Sequence, residues 1–303
     1  MGSRLTSTRR AVLGYLSAFA GAAFYGVGGV IAKRAFALGI PPATLAEFRV
    51  LFAFGVFAIF VLLFRRRALA VRRADLGWLA AFGLFGVFGV QLIYYEAIQR
   101  LPLGVALVIE YTAPLLLLGY WRLRGRRVGG RLWTAGLLTI VGCFFVVGAY
   151  DASLRSVNAF GAALAGVDAF VFATYFLIAE RLATRYSTWT LLLWGFGAAV
   201  LAWAVVRPIW LLPWDILQGE VALLVAGVVI VATVIPYLFT VAAVGLIPAT
   251  RVGLTATSEP VVAAIAAFLL IGEGLDGPQI LGGVIVIAGI LVAQSVRLRA
   301  DGV

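Results

Sequence analysis

Histidine is absent from this 303-residue chain, and cysteine occurs once, at Cys143. No imidazole is available for haem ligation, a histidine-bearing zinc site or a histidine-assisted nucleophile. One cysteine closes no intrachain disulfide and holds no iron–sulfur cluster. Set in an apolar run, Cys143 reads as a small packing residue. Charge is scarce too: Asp, Glu, Lys and Arg make up 12% of the chain, about half the ~25% usual in a soluble domain. Gly125-Arg126-Arg127 and Gly272-Glu273-Gly274 lack the lysine and the spacing of a phosphate-cradling loop. The sequence therefore predicts no cofactor, no metal and no ATP-binding partner.

What is present is apolar. Hydrophobic residues reach 63%, more than a soluble globule of this size can hide, so the chain reads as an integral membrane protein. Ten runs fall at about 11–35, 43–64, 75–99, 103–120, 129–149, 158–184, 188–208, 220–244, 250–271 and 277–296. Each is long enough to cross a ~30 Å hydrocarbon core as a helix. Period-two alternation is lacking, which rejects a membrane β-barrel. Arg9-Arg10 ahead of Ala18-Phe19-Ala20 imitates a twin-arginine leader with a cleavage site, but the run continues through Ala32 and reads as a retained first helix. Basic residues outnumber acidic ones by 24 to 13. They lie in short stretches between apolar runs, which fits loops against an anionic leaflet and not a nucleic-acid surface.

The sequence repeats itself. At a shift of 146, Leu101-Pro102 falls on Ile247-Pro248 and Pro114 on Pro260; at 147, Gly125, Gly130, Gly136 and Gly142 fall on Gly272, Gly277, Gly283 and Gly289. At the same shift Ile31-Ala32-Lys33-Arg34 falls on Ile178-Ala179-Glu180-Arg181. Two five-helix units follow, 11–149 and 158–296, forming one integrated domain. Five is odd, so the second unit enters the membrane from the opposite side and the repeats are inverted. The fold class predicted is an all-α membrane protein of ten transmembrane helices in two inverted five-helix repeats.

Basic residues orient it. With both termini cytoplasmic, the inside carries Arg4, Arg9, Arg10, Arg65, Arg66, Arg67, Arg72, Arg73, Arg122, Arg124, Arg126, Arg127, Arg131, Arg181, Arg185, Arg297 and Arg299. The outside carries Lys33, Arg34, Arg100, Arg155 and Arg207, a ratio of 17 to 5.

A charge near the bilayer centre costs at least ~2.5–3.5 kcal/mol on insertion scales. Three acids fall near mid-depth: Glu110 in helix 4, Asp168 in helix 6 and Glu259 in helix 9. Each either pins packing through an interhelical hydrogen bond or lines an aqueous cavity where it meets an ammonium group or relays protons. Asp168 leans to the cavity. Glu259 stands between the two readings. Glu110 leans to packing, because Pro114 four residues on frees its carbonyl. Lys33 and Glu180, near helix ends, read as snorkelling to water, and Glu47 and Arg49 fall toward the outer end of helix 2. Helical spacing then gathers polar stripes: Asp168, Phe172 and Tyr175 on helix 6; Thr233, Tyr237 and Thr240 on helix 8, with Pro236 among them; Gln91 beside Tyr94 and Tyr95 on helix 3; Arg251, Thr255 and Glu259 on helix 9. An aromatic stripe alone is more often packing, but lipid-facing positions avoid such polar mixtures. A cavity walled by these stripes suits an amino acid, with carboxylates or tyrosine hydroxyls at the ammonium end. Arg251, or N–H groups freed near Pro236, would stand at the carboxylate end. Of Trp78, Trp121, Trp133, Trp189, Trp203, Trp210 and Trp214, most read as interface anchors.

The whole pattern resembles a family. Tyr25-Gly26 followed by Ala32-Lys33, Arg49, Tyr95-Glu96-Ala97-Ile98 running to Leu101-Pro102, Pro114, Glu259-Pro260 and Gly272-Glu273 are similar to the drug/metabolite transporter superfamily, in its EamA-type branch of ten-helix carriers. Gly125-Arg126 departs from the Gly-Glu frequent there. In aromatic content the chain resembles the YddG-type amino-acid exporters of that branch. The resemblance implies a bacterial inner-membrane secondary carrier, not an enzyme, that exports aromatic and other neutral amino acids by alternating access. It adds helices 1 and 4, and with them Tyr25, to the cavity wall. Export of drugs or other small metabolites is the alternative within the superfamily. A polytopic membrane enzyme is the alternative outside it, and the short loops argue against that.

Overall fold

The computed structural model describes residues 7–151 and 158–295; Arg4, Arg155, Arg297 and Arg299, counted above, lie outside them. The described residues form ten helical units: α1 (Ser7–Ala37), α2 (Pro42–Phe64), α3 (Arg73–Ile98), α4 (Gly104–Leu123), α5 (Gly130–Val146), α6 (Ala159–Ala183), α7 (Thr188–Val206), α8 (Gly219–Val244), α9 (Ala249–Ile271) and α10 (Gly277–Ser295). Nine are long and apolar enough to cross a membrane. The exception is α5, whose 17 residues rise about 25 Å. The end of the bundle where α1 starts is called the near face, and the end where α1 stops the far face.

Packing closes on itself under exchange of the two halves. α1 packs on α8 and α9, and α6 on α3 and α4; α3 packs on α7, and α8 on α2; α2 pairs with α7 and α5 with α10. That is the signature of two copies of one unit related by a pseudo-two-fold axis in the membrane plane. Lipid supplies no hydrophobic drive between helices, so close approach depends on small residues. The α5–α10 seam shows it. A Cβ on Gly142 would lie 2.8 Å from the Gly282 carbonyl oxygen, and one on Gly282 2.7 Å from that of Gly142.

The helices are interrupted at matching places. α3 carries a π-helical turn at Leu84–Gly89, and α8 one at Ile230–Val234. α4 breaks between Glu110 and Ala113, and α9 between Ala256 and Glu259. The α4 and α9 breaks precede Pro114 and Pro260, which remove the hydrogen bonds to residues 110 and 256 and clash with their carbonyls. Hydroxyls repair the ladder: Thr112 Oγ1 donates to Ile109 O at 2.6 Å, Thr257 Oγ1 to Leu254 O at 2.7 Å and Ser258 Oγ to Thr255 O at 2.8 Å. Tryptophan placement departs from expectation at Trp203, which is buried and packs edge-on against Phe88 at 5.2 Å. Trp78 does sit near a helix end, beneath the Arg181 guanidinium.

Candidate functional site: a polar cavity between the repeats

The interrupted stretches converge on a cavity of about 180 Å³. Ten of the sequence-derived candidates line it: Tyr25 from α1; Gln91, Tyr94 and Tyr95 from α3; Glu110 from α4; Phe172 and Tyr175 from α6; Tyr237 and Thr240 from α8; and Glu259 from α9. Arg49 from α2 and Tyr111, at the α4 break, line it too.

Close packing fixes the aromatic wall. A Cβ on Gly86 would lie 1.9 Å from the Tyr175 ring, so only glycine lets α6 press its tyrosine onto α3. Tyr175 stacks on Phe172 at 6.1 Å, and Tyr237 meets Tyr25 edge-on at 5.8 Å and Phe196 at 4.9 Å. The Tyr237 hydroxyl donates to Gly86 O at 2.9 Å.

Arg49 is held from behind. Its Nε donates to Thr233 Oγ1 at 3.0 Å and one terminal nitrogen to Ala232 O at 3.3 Å. The Ala232 carbonyl is accessible because Pro236 cannot bond to it and because the π-helical turn displaces it from the regular ladder. A guanidinium has five N–H donors; those not spent on α8 remain for the cavity. Glu259 feels the Arg49 charge and lies against the Tyr111 hydroxyl, while Glu110 interacts electrostatically with both Asp168 and Glu259. The chamber thus combines one guanidinium, two half-buried carboxyls and a tyrosine-rich wall.

Four candidates stand outside this wall. Thr233 is spent on anchoring Arg49 and on Val228 O at 2.9 Å. Arg251 bonds the Tyr15 hydroxyl at 2.8 Å, and Thr255 Oγ1 donates to Arg251 O at 2.8 Å. The i, i+4 stack of Arg251, Thr255 and Glu259 assumes one continuous helix, and the break at Thr257-Ser258 sends Glu259 alone into the cavity. Asp168 is 1% exposed, and neither carboxyl oxygen has a hydrogen-bond partner among the described residues. Sequence reasoning missed Arg49 as a wall residue because counting from the helix start placed it too near the surface. Its signal was Pro236, which frees the Ala232 carbonyl and leaves it in need of a donor.

The lining is skewed. From α3 and α4 it includes Val90, Tyr95, Leu107 and Tyr111, whose equivalents Pro236, Val241, Gly253 and Thr257 do not line it. The far-face half of α4 is mostly half-buried, whereas Ala249–Thr255 of α9, its equivalent at the near face, is buried throughout. The cavity is therefore displaced toward the far face and sealed on the near one.

An all-helical bundle of two inverted repeats, with broken helices meeting at a polar chamber between them, defines a multi-pass membrane transporter. The chain belongs to the EamA-like transporter family, whose profile matches residues 12–148 and 159–294. It is 29% identical over 203 residues to the threonine/homoserine exporter RhtA of Salmonella typhimurium strain LT2, covering 66% of this chain. The match spans 65% of that relative's length, just under two thirds. The uncharacterized inner membrane transporter YicL of the same organism is 24% identical over 308 residues, 97% of this chain and 98% of the relative. A solved crystal structure shares the fold, with a TM-score of 0.78 over 95% of this chain and 97% of the other at 19% identity.

Proposed function

We propose that this transporter is a secondary carrier that exports neutral amino acids from the cell by alternating access. The observation that carries the reading is that Arg49, Glu110 and Glu259 line one small aromatic chamber at the repeat interface. A zwitterion needs both signs of charge within one molecule's reach. The guanidinium is suited to the α-carboxylate, since planar paired N–H donors match carboxylate geometry. The two carboxyls are suited to the α-ammonium, and the tyrosine rings to the side chain. At about 180 Å³ the chamber falls below the ~300–1,000 Å³ typical of drug-sized pockets, which favours amino acids over the superfamily's bulkier cargoes. The relatives named as threonine/homoserine exporters support the direction and the substrate class. The basic excess at the near face supports placing both termini in the cytoplasm. In that orientation the structure corresponds to a state sealed inward and displaced outward.

Flux into proteoliposomes tests the reading. Threonine, homoserine and phenylalanine are expected to give saturable uptake with counterflow on at least one of them. Protein that moves none of these yet moves a lipophilic drug or a nucleotide sugar would overturn it.

A further inference from the structure

A second concave site lies at the near face, remote from the chamber, between the α2–α3 and α6–α7 connections. Arg65, Arg66, Arg67 and Arg185 line it, together with Ser187 and Thr190. Among the described residues the polypeptide neutralises only one of these charges, that of Arg185. Arg66 bonds only the Leu62 carbonyl of its own helix, at 2.7 Å, and the side chains of Arg65 and Arg67 make no hydrogen bond or ion pair among the described residues. Arg185 is held by Asp75 at 3.1 Å, which aims it from the opposite wall. The 19-residue α7 starts here, capped by Ser187, which accepts from Thr190 N at 3.3 Å. A helix N-terminus adds partial positive charge and N–H donors to the same wall.

Between α2, α3 and α7, close to these connections, lies an apolar groove of about 540 Å³, lined wholly by apolar residues that include Phe54, Leu69, Ala80, Leu193 and Leu201. Residues from both linings pack together. Val61, Ala68 and Leu193 form one cluster, with Phe54, Trp189 and Trp194 packed against it, and this cluster links the basic rim to the groove. A concentrated positive rim at a membrane face, with an apolar furrow beside it on the flank of α2, α3 and α7, has the two-part chemistry of one ligand class. We propose that this is a binding site for a membrane phospholipid with an anionic, phosphate-bearing headgroup. The headgroup sits on Arg65, Arg67 and Arg185, and an acyl chain lies in the groove. Basic pockets between transmembrane helices recognise such lipids because each arginine near the headgroup plane strengthens binding severalfold.

The test uses the purified full chain in a nonionic detergent, titrated with phosphatidylglycerol, phosphatidylcholine or inorganic phosphate, with bound lipid read by native mass spectrometry. Phosphatidylglycerol is expected to be retained and phosphatidylcholine lost. In the R65Q/R67Q double variant, phosphatidylglycerol is expected to bind about thirtyfold more weakly, at roughly fivefold per arginine. Ala80→Phe, which fills the groove, is expected to weaken long-chain phosphatidylglycerol while leaving a short-chain analogue unchanged. Equal retention of the two lipids, or unchanged binding in R65Q/R67Q, overturns the proposal. Displacement of the lipid by inorganic phosphate at matched concentration, or equal loss of both chain lengths in Ala80→Phe, overturns it in favour of a simple anion site.

Discussion

Positions 86 and 232 lie 146 residues apart, one in each π-helical turn, and at both the backbone carbonyl is given to a side chain from the other repeat. Gly86 O receives the Tyr237 hydroxyl; Ala232 O receives the Arg49 guanidinium. The backbone device is the same and the donor is not. The pattern extends around the chamber. Glu110 matches Ala256, Glu259 matches Ala113 and Asp168 matches Gly21, so each acid of one repeat faces a small residue at the same place in the other. Duplicated chemistry would crowd six carboxyls and two arginines around one small space, and like charges at that range raise one another's cost sharply. The inverted repeat supplies two matching sets of breaks and bulges, and divergence at the equivalent side chains makes a single asymmetric chamber out of them.

Divergence also separates the two faces. Lys33 on α1 corresponds to Glu180 on α6. Glu180 lies by the Ala249 N–H at the start of α9, where a carboxylate complements the positive end of the helix. Lys33 instead pairs with Glu273; an ammonium has no attraction for the equivalent start of α4. The Glu180 contact holds the near-face end of α6 to the start of α9 within the second repeat, in keeping with the burial of the near-face half of α9.

The sharpest way to break the comparison is at Arg49. Arg49→Gln leaves the Ala232 carbonyl without its charged donor and the chamber without its cation. Hydrogen bonds to charged groups contribute ~1.5–3 kcal/mol, so apparent affinity for an amino acid is expected to fall roughly ten- to a hundredfold. The neutral amide of the same amino acid, which lacks the carboxylate, serves as the control and is expected to lose little. Equal loss for both compounds would reduce Arg49 to a packing role.

Asp168 comes next. Gly21 at the matching position shows that the scaffold has no need of an acid there, and among the described residues the Asp168 carboxyl has no hydrogen-bond partner. An ionised, unpaired carboxylate in such a place costs several kcal/mol, which makes it a poor packing device and a suitable proton acceptor. Asp168→Asn preserves shape and removes titration. The variant is expected to insert at wild-type levels and to lose most of its flux, or the dependence of that flux on pH, across the mildly acidic to mildly alkaline range. Wild-type rates at every pH would return Asp168 to the role of a helix–helix contact.

These residues also show what a sequence can and cannot convey. The ten helices follow from run length, and the duplication from Leu101-Pro102 recurring as Ile247-Pro248, because span length and helix breaking are local properties. Ten of the wall residues were legible because Gln91, Tyr94 or Tyr237 would be costly against lipid at any rotation of their helix. Arg251 and Thr255 were not, since a stripe drawn at four-residue spacing assumes the helix is unbroken, and Pro260 breaks α9 between Thr255 and Glu259. Arg49 was hidden for a related reason. Its depth is set by how far α8 reaches across the bundle to meet it, which no count along α2 contains.

The smallest effect is expected where the repeats differ most simply. The Tyr150 hydroxyl, beyond the end of α5, donates to the Asp276 carboxylate just before α10 at the far face. The equivalent of Asp276 at the near face is Gly129, which has no side chain to bond, so among the described residues this tie has no counterpart at the near end of the α5–α10 seam. The hydrogen bond to Asp276, and then desolvation, push the Tyr150 hydroxyl up to about 12. Because the folded-state value is raised, the contribution of the tie is complete below tyrosine's ordinary value of about 10 and fades as pH climbs from there toward 12. Both groups are solvent-accessible, so water competes for the bond and the contribution stays small. Tyr150→Phe is therefore expected to lower thermal stability in detergent slightly at neutral pH, with the gap to wild type narrowing as the solution becomes strongly alkaline. A gap that stays constant over that alkaline range would mean that the ring's packing against Phe145, and not the hydroxyl, fastens this end of the seam.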